Sequence, residues 1–387
     1  MNQKKIAFIH YPHFANDARL ETVPFSLNPV VFLAKMGWEV DLYLWEEPGA
    51  NYNDLLPDTV TIKYFREPKL SLHSRLHLLR RISLPFQFLW RKNYCGVFGY
   101  GQIGAYIANI IAKSNQCPFI YLNDEFPSGW GENIWTQLEQ QAVQNAAMVV
   151  VPDPHRFHPL CQELDVSTKP YAVLPNIPMI KRPFEEINWH EKLGIPKDYI
   201  PFLYAGTMVE WAQIPEILST LPYWDEKAVL ILHSRSRKSM EKYRKELSHL
   251  EVPGKVIWTH ESMPNSQINS LVSYCAGNFA LYRNTGPNFE YVGFSSGKLM
   301  RSLACGSPVI ASKLTSLSFI KDYQLGVLVN HPIEIPNAIN EIMRDRKAFQ
   351  ERCLQFCTTE VSFERAWEKF CDQLQHIAHI DLRQPGT

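Results

Sequence analysis

Short apolar runs alternate along this chain with stretches of helical spacing. Residues 6–9 form the first run, 25–37 follow with apolar positions three and four apart, and 40–44 form a second run. Strand, helix and strand in that order make a βαβ opening and predict a doubly wound parallel sheet. The alternation continues with a helix over 100–112, a strand over 119–122, a helix over 135–147 and a strand over 148–151. An extended segment over 171–178, with Pro175, Pro178 and Pro183 and then a charge-rich stretch to Lys197, reads as a linker. Beyond it the pattern restarts. Strands are predicted over 202–205, 229–232, 256–258, 277–282, 309–311 and 326–329, and helices over 265–274, from 335 and over 363–377. The expected class is α/β, with the two halves alike in pattern and not in sequence.

Composition narrows the function. With 387 residues, 45% of them hydrophobic, the chain can bury large cores and favours two or three domains. Thirty-nine basic residues balance thirty-nine acidic ones, which argues against a dedicated nucleic-acid binder. The eight cysteines contain no C-x-x-C pair, and Cys353 and Cys357 have no histidine at a zinc-ligand spacing. No metal site and a reduced, cytoplasmic chain are therefore expected. The run at 6–9 is cut by His10, Pro12 and His13, too short for a signal peptide, and no apolar window approaches a bilayer span. From Lys69 to Lys92 there are six Lys or Arg, no Asp or Glu, and many leucines. Two readings of 69–92 stay open: transient contact with an anionic membrane at its inner face, or a helix that packs its leucines inward.

Candidate chemistry gathers where predicted strands end. Asp124 and Glu125 follow the strand over 119–122, placed either to work on a ligand or to cap the next helix. His13 and Asn16 lie in the loop after the first strand, as ligand contacts or as a solvated polar loop. His233 and Arg235 open a cationic cluster after the strand over 229–232. Gly206 and Thr207 follow the strand over 202–205, where a missing side chain lets backbone approach a ligand. Glu290 is the one carboxylate in the loop over 285–294. The stretch over 293–312 reads GFSSGKLMRSLACGSPVIAS, a loop, helix, turn and strand. Ser295, Ser296, Gly297 and Lys298 open its helix with small residues and a cation, an arrangement suited to a phosphate and equally to an ordinary serine cap.

Ala304-Cys305-Gly306-Ser307-Pro308-Val309-Ile310-Ala311 matches the A-x-G-x-P-V-I-A ending of the donor-binding segment in the large retaining family (family 4, group 1) of GT-B glycosyltransferases. Gly293 and Arg301 stand where that family carries two glutamates. A subgroup has a serine-glycine-lysine opening instead, and this chain resembles that variant. The resemblance implies two Rossmann-like doubly wound domains facing a cleft: an acceptor domain over 1–180, a donor domain over 181–362, and a helix over 363–387 crossing back to the first.

It further implies a metal-independent, retaining transfer from a UDP- or GDP-sugar to a hydroxyl acceptor such as a glycan, a lipid-linked saccharide or a small molecule, with no cofactor. Ser295, Ser296, Gly297 and Lys298 would cradle the diphosphate, with Gly206, Thr207, His233 and Arg235 opposite and Glu290 on a sugar or ribose hydroxyl. Lys298, Arg235 and Asp124 would serve the reaction itself, with His13, Asn16, Asp124 and Glu125 on the acceptor. The absence of a D-x-D triad at a strand end agrees with metal independence. Two alternatives stay open, a sugar-nucleotide-binding protein without activity and a sugar-nucleotide epimerase of the same fold.

Overall fold

The structure is a computed structural model that describes residues 5–11, 20–44, 52, 55–65, 93–131 and 133–383. Its contacts divide the chain into two units, 1–176 with 363–387, and 177–362. His13, Asn16 and the basic stretch over 69–92 lie outside the described residues.

Unit 1 holds a seven-stranded parallel sheet. Its strands are β1 (Lys5–His10), β2 (Glu39–Leu44), β3 (Val60–Tyr64), β4 (Tyr94–Tyr100), β5 (Phe119–Leu122), β6 (Met148–Val151) and β7 (Tyr171–Val173). They lie in the order β3-β2-β1-β4-β5-β6-β7, so the direction of winding reverses between β1 and β4. Residues 6–9, 42–43, 97, 120–122 and 148–151 are almost wholly buried, as strands covered on both faces must be. Two of these strands escape the apolar-run criterion. β3 is half exposed and carries Thr61 and Lys63, and β4 reads Tyr-Cys-Gly-Val-Phe-Gly-Tyr, broken twice by glycine. Tyr100, expected to begin a helix, is instead the last residue of β4, and helix α1 (Gly101–Asn115) starts one residue later.

Gly99 explains why glycine interrupts that strand. A Cβ there would lie 2.6 Å from the Ala108 Cβ and 2.7 Å from the Gly104 carbonyl, so α1 packs directly on the β4 backbone. Asp41, a buried carboxylate on β2, is held by Lys63, by Lys5 at 3.0 Å and by the Tyr94 hydroxyl at 2.5 Å. Those partners outweigh the burial that would raise its pKa, and the result lies below the usual carboxylate range.

The helix Phe363–Ala378 belongs to unit 1. Phe363 and Trp367 meet Phe32 at ring-centroid distances of 5.0 and 5.7 Å, and the Trp367 indole reaches the Met36 sulfur at 3.4 Å. Trp38 in turn donates to the Leu382 carbonyl at 2.7 Å.

Unit 2 repeats the scheme with six parallel strands. They are β8 (Ile200–Ala205), β9 (Ala228–His233), β10 (Val256–Thr259), β11 (Gly277–Ala280), β12 (Val309–Ser312) and β13 (Gly326–Val329). Their order is β10-β9-β8-β11-β12-β13, and the reversal falls between β8 and β11. One core cluster on this sheet includes Phe202, Tyr204, Ile217, Leu230, Phe279 and Ile339, and another includes Trp189, Leu203, Ile231, Leu271 and Cys305. Among the described residues no helix is long and apolar enough to cross a membrane.

Two substitutions test this packing. Trp367→Ala removes a fully buried indole and is expected to destabilise unit 1 by about 3–5 kcal/mol, seen as an earlier denaturant transition for unit 1 with that of unit 2 unchanged. Gly99→Ala is expected to cost about 1–3 kcal/mol by overpacking, and a variant as stable as the parent in the same titration would contradict the close contact of strand and helix.

Candidate functional site

In open parallel sheets, ligands bind outside the carboxyl ends of the strands where the winding reverses. In unit 2 that place is set by the ends of β8 and β11. Tyr204, near the end of β8, is buried, and its hydroxyl donates to the Thr207 carbonyl at 2.6 Å, which pins the following loop. Gly206 donates its N–H to the carbonyl of His233, the last residue of β9, at 3.1 Å. A Cβ at Gly206 would stand 3.4 Å from the Tyr204 hydroxyl and 3.9 Å from Lys298 Cδ, which places this backbone beside the lysine.

Helix α2 (Gly297–Ala304) enters from the other side. Ser296 is its N-cap and accepts the Leu299 N–H at 3.2 Å, while the Tyr282 hydroxyl and Ser296 Oγ share a further hydrogen bond. Ser295 Oγ donates to the Val292 carbonyl. Both serine hydroxyls are thus engaged in building the helix start. What helix geometry leaves for a ligand are the first-turn amides at Gly297 and Lys298.

Lys298 is the unusual group. Its Nζ has no solvent-accessible surface and no hydrogen-bond partner, although part of the residue is exposed. It faces three rings, with centroids at 4.4 Å for Tyr282, 4.6 Å for Tyr204 and 5.5 Å for Trp211. Trp211 stacks on Tyr282, and Phe289 packs against both. Burial brings the ammonium down to a pKa of about 7. Cation–π attraction contributes roughly 0.5–2 kcal/mol per ring, against several kcal/mol to desolvate an ion. The cage therefore compensates only part of the cost, and an anion would supply the rest.

The remaining sequence candidates in unit 2 fall around this centre. His233 is buried, its Nδ1 has no hydrogen-bond partner, and burial, followed by the nearby charge of Arg235, lowers its pKa to about 4, so it is neutral at pH 7. Arg235 is exposed on the loop after β9. Glu290 is half-buried; its carboxylate accepts from Asn284, and its backbone carbonyl accepts from Ser316 at 2.7 Å. Arg301, where the resembling family has its second glutamate, donates to Asn269 at 2.5 Å. Tyr282 also lines a pocket of about 220 Å³ with Gln213, Ser312, Lys313 and Asn330, at the ends of β11, β12 and β13. The sequence reading missed Tyr204, Trp211 and Tyr282, which lie in three separate segments of the chain.

Unit 1 has its own strand-end cluster where β1 meets β4. His10 and Tyr100 are register partners and their rings stack at 4.9 Å with an interplanar angle of 6°. The Tyr100 hydroxyl donates to Asp124 Oδ2 at 2.7 Å, and buried Arg156 donates to the Asp124 carbonyl at 2.7 Å while lying over the Phe126 ring. Glu125 offers its backbone carbonyl to Asn123 Nδ2 at 2.8 Å. Glu139 is fully buried behind this loop, hydrogen-bonded by Tyr121, and burial raises its pKa to about 8. His10 was read only as a breaker of the first apolar run; the structure makes it the end of β1. No group of three His, Cys, Asp or Glu that could hold a metal occurs among the described residues.

No family model matches the chain, and no curated protein sequence matches it. Solved structures do. Sucrose-phosphate synthase from Thermosynechococcus elongatus superposes with a TM-score of 0.73 at 14% identity, covering 96% of this chain and 98% of that one. The Anabaena HepE protein in complex with UDP and glucose gives 0.68 at 14% identity, covering 96% and 100%. A glycosyltransferase from Rickettsia africae gives 0.65 at 14% identity, covering 97% and 99%. At such identities the likeness establishes architecture, and with two parallel-sheet units it is unambiguous: the chain has the GT-B fold.

Proposed function

We propose that the chain is a glycosyltransferase that moves a sugar from a nucleoside diphosphate sugar to a hydroxyl acceptor. The observation that carries this reading is the sealed, unpartnered ammonium of Lys298, set beside the backbone of Gly206 and the first-turn amides of a helix. A cation, aligned amides and the positive end of a helix dipole together suit a diphosphate. Support comes also from HepE, whose structures hold UDP, UDP with glucose, and UDP-glucose.

In this reading Lys298 and the amides of Gly297 and Lys298 hold the diphosphate and stabilise its charge as the bond to the sugar breaks. Gly206 and Thr207 border the phosphates, His233 offers a neutral imidazole, and Arg235 adds an exposed cation. Glu290 takes a sugar or ribose hydroxyl. Ser295 and Ser296 contribute through the helix start they build. In unit 1, Asp124, fixed by Tyr100 and Arg156, orients the acceptor hydroxyl, with Glu125 beside it. The transfer proceeds without a metal and with retention, the leaving phosphate taking the acceptor proton; retention rests on the family resemblance of 304–311.

Lys298→Ala is expected to lower turnover by about a hundredfold or more, measured as release of free nucleoside diphosphate from UDP- or GDP-sugars. Turnover close to that of the parent would show that Lys298 does not meet the donor. Activity is also expected to survive EDTA, and a loss reversed by added Mg²⁺ or Mn²⁺ would overturn the metal-free reading.

A further inference from the structure

The caged lysine has a consequence for how the donor binds. Its Nζ is cut off from water, faces only ring carbons, and has no carboxylate within ion-pair distance among the described residues. Aromatic faces favour the charged form less than water does, so the free site sheds part of its proton near neutrality. A diphosphate has the opposite effect, because two negative charges beside the nitrogen favour the ammonium. We propose that donor binding and protonation of Lys298 are one linked event, the arriving diphosphate drawing a proton onto Nζ so that donor affinity falls as the medium becomes alkaline. This rests on the donor-site reading above and adds to it a control by pH.

Of the groups around Nζ and its three rings, Lys298 is the one that burial brings near neutrality. From β8, Tyr204 is held protonated by burial, far above neutral pH. From the segment after β11, the Tyr282 hydroxyl is likewise pushed up by burial and bonded to Ser296. Trp211 has no titrating group. His233, joined to the site through Gly206, is already neutral, with a pKa of about 4. Arg283, next to Tyr282, is paired with Glu210 and Glu216. On its own helix, Arg301 is bonded to Asn269. Burial alone lowers Lys298, to about 7.

The sign follows from linkage. A lysine lowered to about 7 by burial in the free protein and raised by the diphosphate in the complex gains a proton on binding, little of one well below that value and more of one as pH rises through it. Affinity is then nearly flat below pH 6 and falls about tenfold per pH unit well above 7. The diphosphate diester of a sugar nucleotide carries no titrating proton between these limits, so the effect belongs to the protein.

Isothermal titration calorimetry of the full chain with UDP-glucose and with GDP-mannose, between pH 6 and 8.5, tests this. Each titration at pH 8 is repeated in HEPES and in Tris, whose ionisation enthalpies differ. The expected result is binding at pH 6, weakening above pH 7, and a buffer-dependent enthalpy at pH 8 that reports proton uptake approaching one. Binding with the same affinity and the same enthalpy in both buffers at pH 8 overturns the linkage and leaves the donor site standing. Failure of both sugar nucleotides to bind at pH 6, where the ammonium is charged, overturns the donor-site reading and the linkage with it. In Lys298→Arg, where the cation cannot lose its proton, the pH dependence and the proton uptake are expected to vanish together. Uptake that persists in that variant assigns the proton to another group and overturns the proposal; the wild-type titration decides the matter even if the variant does not fold.

Discussion

An ammonium group without water and without an anion is the least comfortable object in this molecule, and the winding reversal of unit 2 is arranged around it. Removing a charge from water costs several kcal/mol, and three aromatic faces return only part of that. It is this unpartnered state on which the proposal of a donor site rests. Lys298 occupies the place where the winding of the second sheet reverses, between the end of β8 and the segment after β11. The ends of these strands and the segments that follow them provide the cage, through Tyr204, Trp211 and Tyr282, and bring Gly206 beside it. Fold and chemistry meet there because parallel strands deliver their carboxyl ends to one edge.

The first unit answers with a different arrangement. Its reversal, between β1 and β4, stacks His10 on Tyr100, and Tyr100 holds the side chain of Asp124 while Arg156 holds its backbone. Here hydrogen bonds from Tyr100 to the Asp124 carboxylate and from Arg156 to its backbone carbonyl hold the loop. One sheet edge thus keeps a cation in want of a partner, and the other keeps a carboxylate in a set orientation.

Much of this could be read from the chain, for physical reasons. Buried parallel strands leave apolar runs, and the turn Gly306-Ser307-Pro308 between α2 and β12 has a residue pattern few other structures require. β3 and β4 were not legible, because an edge strand is half polar and because Gly99 trades apolar content for close contact with α1. The cage was not legible either. Tyr204, Trp211 and Tyr282 come from three separate segments, and each alone looks like a core aromatic. Lys298 was read as a charged hand on phosphate; its burial, and with it the lowered pKa, depends on those distant rings. Ser295 and Ser296 were read as ligand contacts; in this structure their hydroxyls bond Val292, Leu299 and Tyr282, a role in the helix start that the sequence alone did not show.

The most direct measurement is a crystal structure of the chain grown with an intact sugar nucleotide. The account requires the diphosphate oxygens to lie at charge-assisted hydrogen-bond distance, about 2.7–2.9 Å, from Lys298 Nζ, with the amides of Gly297 and Lys298 facing the same phosphates. A nucleotide bound elsewhere, with Nζ still resting on its three rings, would contradict it.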